Sequence, residues 1–309
     1  MPNPISDAKS AGDLLALVTE RDARVLMSIA EFRLLSTVQI QALHFAAHAS
    51  PQASVRAVWT VLRRLEERHL IRRVSRQRRF PQGGSTPITW ALDAAGERLT
   101  RLLAGDPDAP RRRNLVPHGD EYHHTLTVAE TYVNLVRAHR AGQVELIEAH
   151  GEPAAWRKHP GQLGRAVTLK PDLVLITQTP GYRDHWFVEI DLGNQPTPRL
   201  IRKCNSYEDY RASGIEQRRL GLFPRVLWVL PDERGATRLR RAIAAERRLK
   251  PAMFVVTTPA HLIEAVTNEP PTTSQAAEPG DSPVSAPDPA RGPITKHRAD
   301  ASSGVSGTS

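Results

Sequence analysis

Two stretches of sequence decide the fold: LKPDLVLIT at residues 169–177 and HWFVEIDL at residues 185–192. Both favour β-strands, because Leu, Val and Ile dominate them and a Pro-Gly turn lies between them. Three carboxylates interrupt these apolar runs: Asp172, Glu189 and Asp191. In a strand, residues i and i+2 point to the same face, so we expect Glu189 and Asp191 to project together.

Carboxylates buried in a sheet need a counter-charge, since burying unpaired charges is costly. Mg²⁺ (or Mn²⁺) suits them, because it prefers carboxylate oxygens. Asp172, Glu189 and Asp191 are therefore the predicted metal ligands. The alternative is that Asp172 and Glu189 form salt bridges with nearby arginines and hold no metal.

The segments around these strands complete a mixed sheet flanked by helices. Apolar periodicity predicts, besides the two strands above, helices at 121–140, 197–210 and 235–248 and strands at 143–149, 225–230 and 253–257. The segment RVLWVL at 225–230 is almost wholly apolar, which is typical of a strand buried on both faces.

In the N-terminal part, the sequence pattern predicts a separate arrangement of three helices, a hairpin and a closing helix. The helices are expected at 21–33, 37–45, 51–69 and 93–103, and the hairpin strands at 70–74 and 88–92. Ser36 and Ser50 are predicted helix N-caps, with Pro51 at the first helical position. This order of elements is that of a winged helix-turn-helix.

Exposed basic residues on this predicted domain favour binding to double-stranded DNA. The outward face of the third helix and the hairpin tip would contact the duplex; their residues are Arg56, Thr60, Arg63, Arg64, Arg76, Arg78 and Arg79. Arginines in the hairpin suit phosphate contacts, which bind by counterion release. The alternative is a solvated basic face that binds a protein partner.

Composition and charge exclude several classes of protein. The chain has 309 residues, a formal charge of +9 and a single cysteine, Cys204. One cysteine forms no disulfide framework and no thiolate zinc site. The sequence shows no signal peptide and no apolar run of about 18 to 20 residues that would span a membrane. We therefore predict a cytoplasmic protein with no membrane partner.

The chain divides into five predicted segments. These are a flexible N-terminus (1–20), the winged helix (21–106), a linker (107–120), the domain built around the carboxylate strands (121–267) and a disordered tail (268–309). The tail is rich in Pro, Ser, Ala and Thr, so it cannot bury enough apolar area to offset its ordering entropy. The alternative for the linker is a long surface loop within one domain.

The run KPDLVLI at 170–176 followed by FVEID at 187–191 resembles the PD-(D/E)xK nuclease core. The layout over about residues 21–260 resembles the replication-relaxation family, which pairs a winged helix with a restriction-endonuclease-like domain. The resemblance implies an α+β protein with a winged helix-turn-helix followed by an α/β restriction-endonuclease-like mixed sheet. It also implies a role in plasmid replication or DNA relaxation.

One departure from the nuclease motif affects the predicted catalytic site. The motif ends in Lys two residues after its Glu, where this chain has Asp191. Lys203, in the next helix with Tyr207 one turn later, is the first candidate to replace that lysine. Lys170 is the second candidate, because it shares a strand face with Asp172.

Two further features of the preceding helix bear on this site. Glu130 could supply another metal-site acid, as in some relatives of this fold, or could be a solvated helix residue. Adjacent helix residues point about 100° apart. The pair His123-His124 is therefore predicted to serve packing or the surface and not to chelate a metal.

These observations predict a DNA-binding protein of plasmid or mobile-element replication. In the enzyme hypothesis Asp172 and Glu189 hold the metal, Asp191 assists, and Lys203 completes a site that cleaves or nicks DNA. The rival hypothesis is a non-catalytic regulator or replication accessory that uses an inactive nuclease fold as a scaffold. A homodimer or other replication proteins are further predicted partners.

Overall fold

The structure is a computed structural model that describes residues 18–47, 50–74, 88–109, 116–161 and 165–268. The predicted tail apart from its first residue, most of the predicted flexible N-terminus, and Arg76, Arg78 and Arg79 lie outside the described residues. No helix in the described ranges is long and apolar enough to cross a membrane.

The N-terminal part, residues 18–103, consists of helices around a small sheet. Its elements are α1 (Glu20–Phe32), β1 (Leu35–Ser36), α2 (Thr37–His44), α3 (Pro51–Glu67), β2 (Ile71–Val74), β3 (Thr89–Leu92) and α4 (Ala94–Leu103). The strand order is β1-β3-β2, and both pairings are antiparallel. Capping fixes where the helices begin: Thr19, Ser36 and Ser50 each accept a backbone N–H of the first turn of α1, α2 and α3.

The C-terminal part, residues 120–267, is built on a five-stranded mixed sheet. Its elements are α5 (Asp120–Arg140), β4 (Glu145–His150), β5 (Arg157–Pro160), β6 (Ala166–Leu169), β7 (Leu173–Thr179), β8 (Tyr182–Ile190), α6 (Thr197–Ala212), α7 (Ile215–Leu220), β9 (Arg225–Val229), α8 (Glu233–Ala245), β10 (Phe254–Thr257) and α9 (Leu262–Thr267). The sheet order is β10-β9-β8-β7-β4, with β8, β9 and β10 parallel and β7 and β4 antiparallel to their neighbours. The predicted α+β class is confirmed.

The stretch predicted as one strand at 169–177 is divided between two sheets. β6 ends at Leu169 and pairs with β5, whereas β7 begins at Leu173 in the main sheet. Pro171 lies between them, and proline cannot donate a hydrogen bond to a sheet. The break leaves Asp172 immediately before β7, at the end of an interior strand of the main sheet.

Helix α5 joins the two parts of the molecule. Tyr132 stacks near Phe32 of α1, with ring centroids 5.0 Å apart. Gln39 of α2 donates to the Leu126 carbonyl at 2.9 Å, and Arg140 donates to carbonyls of α2. One continuous cluster of buried apolar residues therefore includes α1, α3, α5 and the main sheet.

Gly96 allows α4 to lie against the loop before β2. A Cβ at this position would come within 1.9 Å of the Leu70 carbonyl oxygen. The same carbonyl accepts from the Asp93 backbone N–H at 3.0 Å, so its position is fixed. Only glycine fits this contact between helix and backbone.

Candidate functional site

The two strands of the motif bring Asp172 and Glu189 side by side. Asp172 donates its backbone N–H to the Val188 carbonyl at 3.0 Å, and its Oδ2 accepts from the Ile190 N–H at 2.7 Å. Asp172 therefore lies beside the last residues of β8, where Glu189 sits. Both carboxylates are almost fully shielded from solvent, with side chains 11% and 5% exposed.

Two residues of α6 contact Glu189. The Tyr207 hydroxyl donates to Oε1 of Glu189, and Lys203 Nζ lies 3.1 Å from the same oxygen. Lys203 also donates to the Lys170 carbonyl at 2.9 Å. The two side chains project together because they are four residues apart on one helix. The structure thus places Lys203 and Tyr207 beside the motif glutamate.

The environment of Glu189 disfavours its charge. Burial raises the pKa of Glu189 to about 8, and the nearby charge of Asp172 adds to this, although Lys203 and Tyr207 oppose it. The same burial and the Glu189 carboxylate raise the pKa of Tyr207 well above its ordinary value, so Tyr207 remains a hydrogen-bond donor.

His124 of α5 contacts the other side of Asp172. Its Nε2 lies 3.2 Å from Asp172 Oδ2 and 3.1 Å from the Ile190 carbonyl oxygen. Burial lowers the pKa of His124, but the hydrogen bond to Asp172 and its charge outweigh that effect, so the pKa is raised. The sequence analysis predicted that this histidine packs in the interior or lies at the surface. No spacing pattern links it to Asp172, because the contact is made by tertiary packing of α5.

Asp191 lies apart from the Glu189 contacts. Strand β8 ends at Ile190, although the Asp191 N–H still donates to the Val229 carbonyl of β9 at 3.0 Å. Asp191 Oδ2 accepts from the Gly193 N–H at 3.0 Å, and its buried Oδ1 has no partner among the described residues. Burial raises the pKa of Asp191, and the Gly193 N–H and the charge of Arg238 oppose this.

The remaining accessory candidates lie elsewhere. Lys170 Nζ lies 4.3 Å from the centroid of the Trp156 ring, in a cation–π contact. Glu130 accepts from Gln39 at 3.0 Å and from Arg137 at 3.2 Å, on the side of α5 that meets α2. Neither side chain has a recorded contact with Asp172 or Glu189 in the part of the chain that the structure describes.

The donor set fits a divalent cation held by two carboxylates. Asp172 Oδ1 and Glu189 Oε2 carry no hydrogen bond within the described ranges, so each can ligate. Mg²⁺ commonly binds through one or two carboxylates and keeps several waters. Across the described residues, no three His, Cys, Asp or Glu side chains are arranged to hold a metal. The three-ligand set with Asp191 stays a prediction.

The predicted DNA-binding residues differ in their surroundings. Arg56, Thr60 and Arg63 are exposed on α3. Arg64 is half-buried, and its guanidinium lies 2.5 Å from Oδ1 of the buried Asp22. That ion pair ties α3 to the start of α1, so Arg64 has a structural contact that sequence reasoning missed.

Glu189→Gln is expected to stabilise the metal-free protein by about 2–4 kcal/mol at pH 8. The pKa of Glu189 in the folded protein, about 8, lies above its ordinary value of 4.5. Folding therefore favours the protonated form, and stability is lost as pH rises from 4.5 through about 8. Glutamine cannot ionise, so the variant should lose this pH dependence.

Urea unfolding with EDTA at pH 5 and pH 8 measures the effect. Glu130→Gln is the matched control, because Glu130 is half-buried and pairs with Arg137, and it should follow the wild type. Parallel pH profiles of wild type and Glu189→Gln would contradict the expected burial of this charge.

One comparison with known proteins identifies a family. A family model described as Replication-relaxation matches residues 26–226. No curated protein and no solved structure matches the chain. The matched range covers well over half of the chain and includes α3, both motif strands and the α6 residues Lys203 and Tyr207. The chain therefore belongs to the replication-relaxation family.

Proposed function

We propose that this protein binds duplex DNA through an N-terminal winged helix and nicks or cleaves it with a metal-dependent site in a restriction-endonuclease-like C-terminal domain. Membership of the replication-relaxation family suggests a role in plasmid replication or relaxation. The observation that carries the catalytic part is the 3.1 Å contact between Lys203 Nζ and Glu189 beside Asp172. It supports the proposal because it brings the two carboxylates together with Lys203, the first candidate to replace the lysine that the motif lacks here.

The arrangement of the N-terminal part supports DNA binding. Helix α3 follows α2 closely and leaves Arg56, Thr60 and Arg63 exposed, while its apolar side is buried against α1 and the small sheet. A helix anchored in this way can enter a major groove and contact bases with its exposed face.

Each side chain of the carboxylate site has a role that its contacts support. Asp172 and Glu189 would hold the divalent cation, which when bound lowers the pKa of water and offsets negative charge on the phosphate. Tyr207 and Lys203 both contact Oε1 of Glu189 and so orient Oε2 towards the cation. Lys203 is half-exposed, so its ammonium can also approach a substrate phosphate. His124 fixes the orientation of Asp172.

The test is a nicking assay of the full chain on supercoiled plasmid, with Mg²⁺ or Mn²⁺ and with EDTA. The proposal expects open-circular product only with metal, and expects none from an identically purified Asp172→Asn variant. Equal nicking by that variant would refute the assignment of the activity to this carboxylate site. Binding of duplex DNA without metal-dependent nicking would refute the catalytic part and leave the DNA-binding part.

One observation favours the alternative of a non-catalytic DNA-binding scaffold. His124 Nε2 contacts both Asp172 Oδ2 and the Ile190 carbonyl oxygen, so an imidazole already satisfies part of the carboxylate site. Under this alternative, Mn²⁺ should leave the melting temperature of the wild type unchanged, because only ligands that bind the folded state stabilise it. A homodimer or contact with replication proteins fits either function.

A further inference from the structure

Helix α8 carries three arginines on one face. Arg234, Arg238 and Arg241 are at positions i, i+4 and i+7, which lie on one side of a helix. All three are exposed, and with Glu233 and Thr237 they line one shallow surface depression. We call these three residues the α8 stripe. They span about 10 Å along the helix, so a short stretch of one ligand could contact all of them.

The three arginines of the α8 stripe form no ion pair within the described ranges. No ion pair or hydrogen bond is recorded for its three guanidinium groups there. Two arginines nearby differ, because Arg240 pairs with Glu233 and Arg248 pairs with Asp209. Like charges four residues apart destabilise a helix. An external anion would relieve the repulsion between Arg234 and Arg238.

The stripe lies near Asp191, at the end of the strand that carries Glu189. The Asp191 N–H donates to the Val229 carbonyl at 3.0 Å, so the end of β8 is joined to the end of β9, from which α8 follows. The adjoining loops are also close, since a Cβ at Gly193 would lie 3.0 Å from Pro231. Arg238 is near enough to Asp191 for its charge to oppose the raised pKa of that carboxyl.

We propose that the α8 stripe is a second DNA-binding surface, which holds the phosphates of the duplex beside the carboxylate site. Guanidinium groups bind phosphate oxygens through paired N–H donors, and a row of them follows a polyanionic backbone. The proposal rests on the proposed DNA-binding function, but it assigns a surface separate from α3. Helix α8 begins at Glu233, beyond the range matched by the family model.

The affinity test uses the full chain and a fluorescein-labelled duplex at several salt concentrations. The variant is R234A/R238A/R241A, and the control R165A/R183A/R218A removes three exposed arginines from other surfaces. Each lost phosphate contact lowers the slope of log K against log salt by about 0.9. We expect the stripe variant to lose about 2 to 3 units of slope and roughly tenfold or more in affinity, and the control to keep the wild-type slope.

A directed cleavage experiment tests the same surface without removing any arginine. Thr237→Cys places a thiol in the depression, and Cys204, the one cysteine of the sequence, is buried. An iron–EDTA probe on residue 237 should generate hydroxyl radicals that cut bound DNA within one short window. The same probe on Arg183→Cys, at the far end of β8 from Glu189, should give no such window.

The outcomes separate this proposal from the function on which it rests. A wild type that binds no duplex DNA overturns the proposed function. If the wild type binds but the stripe variant keeps its slope, or the probe on residue 237 cuts no window, the α8 surface alone is refuted. Selective binding of an acidic protein by the stripe, with unchanged DNA affinity in the variant, would refute it as well.

Discussion

Lys203→Ala is expected to reduce metal-dependent nicking of plasmid at least 100-fold, a loss on the scale of removing one well-placed electrostatic group from a catalytic site. Lys203 Nζ lies 3.1 Å from Glu189, and it is the lysine whose contacts join both motif strands through the Lys170 carbonyl. Its removal takes away the positive charge that would offset the developing phosphate charge. The initial rate of conversion of supercoiled to open-circular plasmid measures the effect.

Lys170→Ala is the matched control for this prediction. Lys170 lies on the same loop as Asp172, but its ammonium contacts the Trp156 ring and no carboxylate in the described ranges. We expect its nicking rate to stay within about threefold of the wild type, well short of the loss given by an electrostatic group in the site. The reverse ranking would assign the role of the motif lysine to Lys170, the second candidate of the sequence analysis.

Gly96→Ala is expected to unfold the N-terminal part or to destabilise the protein by more than about 3 kcal/mol, as strained or overpacked backbone contacts do. The added methyl would lie 1.9 Å from the Leu70 carbonyl oxygen, so α4 or the start of β2 must move. Either movement disturbs the hydrogen bond from Asp93 to Leu70 and the packing of the buried Leu99 of α4.

Gly235→Ala controls for the general effect of a methyl in the first turn of a helix. Its Cβ would meet the Leu230 side chain at 3.3 Å, which a small rotation relieves, so the variant should stay within about 1 kcal/mol of the wild type. Thermal melts of both variants, followed by far-UV circular dichroism, compare the destabilisation caused by Gly96→Ala with that caused by Gly235→Ala. An unchanged melting temperature for Gly96→Ala would contradict the close approach of α4 to Leu70.

The order of helices and strands can be predicted from this sequence because apolar periodicity is strong in most elements. Ser36 and Ser50 mark the starts of α2 and α3 as expected, since each accepts the predicted first-turn N–H. The division of the 169–177 stretch could not be predicted from periodicity, because both pieces are apolar and belong to different sheets. Pro171 marks the break, but the sequence does not show that the residues before it pair with β5 and those after it with β8.

The candidate site could be predicted only in part. The motif strands and the following helix place Asp172, Glu189 and Lys203 together, because antiparallel pairing of β7 with β8 fixes the two acids and α6 covers them. The expectation that Asp191 projects with Glu189 relied on strand alternation and stays a prediction, since the contact described for its carboxylate is the Gly193 N–H. His124 reaches Asp172 through the docking of α5 on the sheet, and that contact depends on tertiary packing with no local sequence signal.

The position of α5 also limits how this protein can change over evolutionary time. The helix packs against both parts of the molecule. Tyr132 and Arg140 contact α1 and α2, and His124 contacts Asp172 beside the carboxylate strands. A recombination event that replaced the N-terminal part with that of a distant relative would disrupt the contacts of α5 with α1 and α2. New specificities should therefore accumulate by substitution of exposed residues such as Arg56 and Arg63, and inheritance would keep the two parts together as one unit.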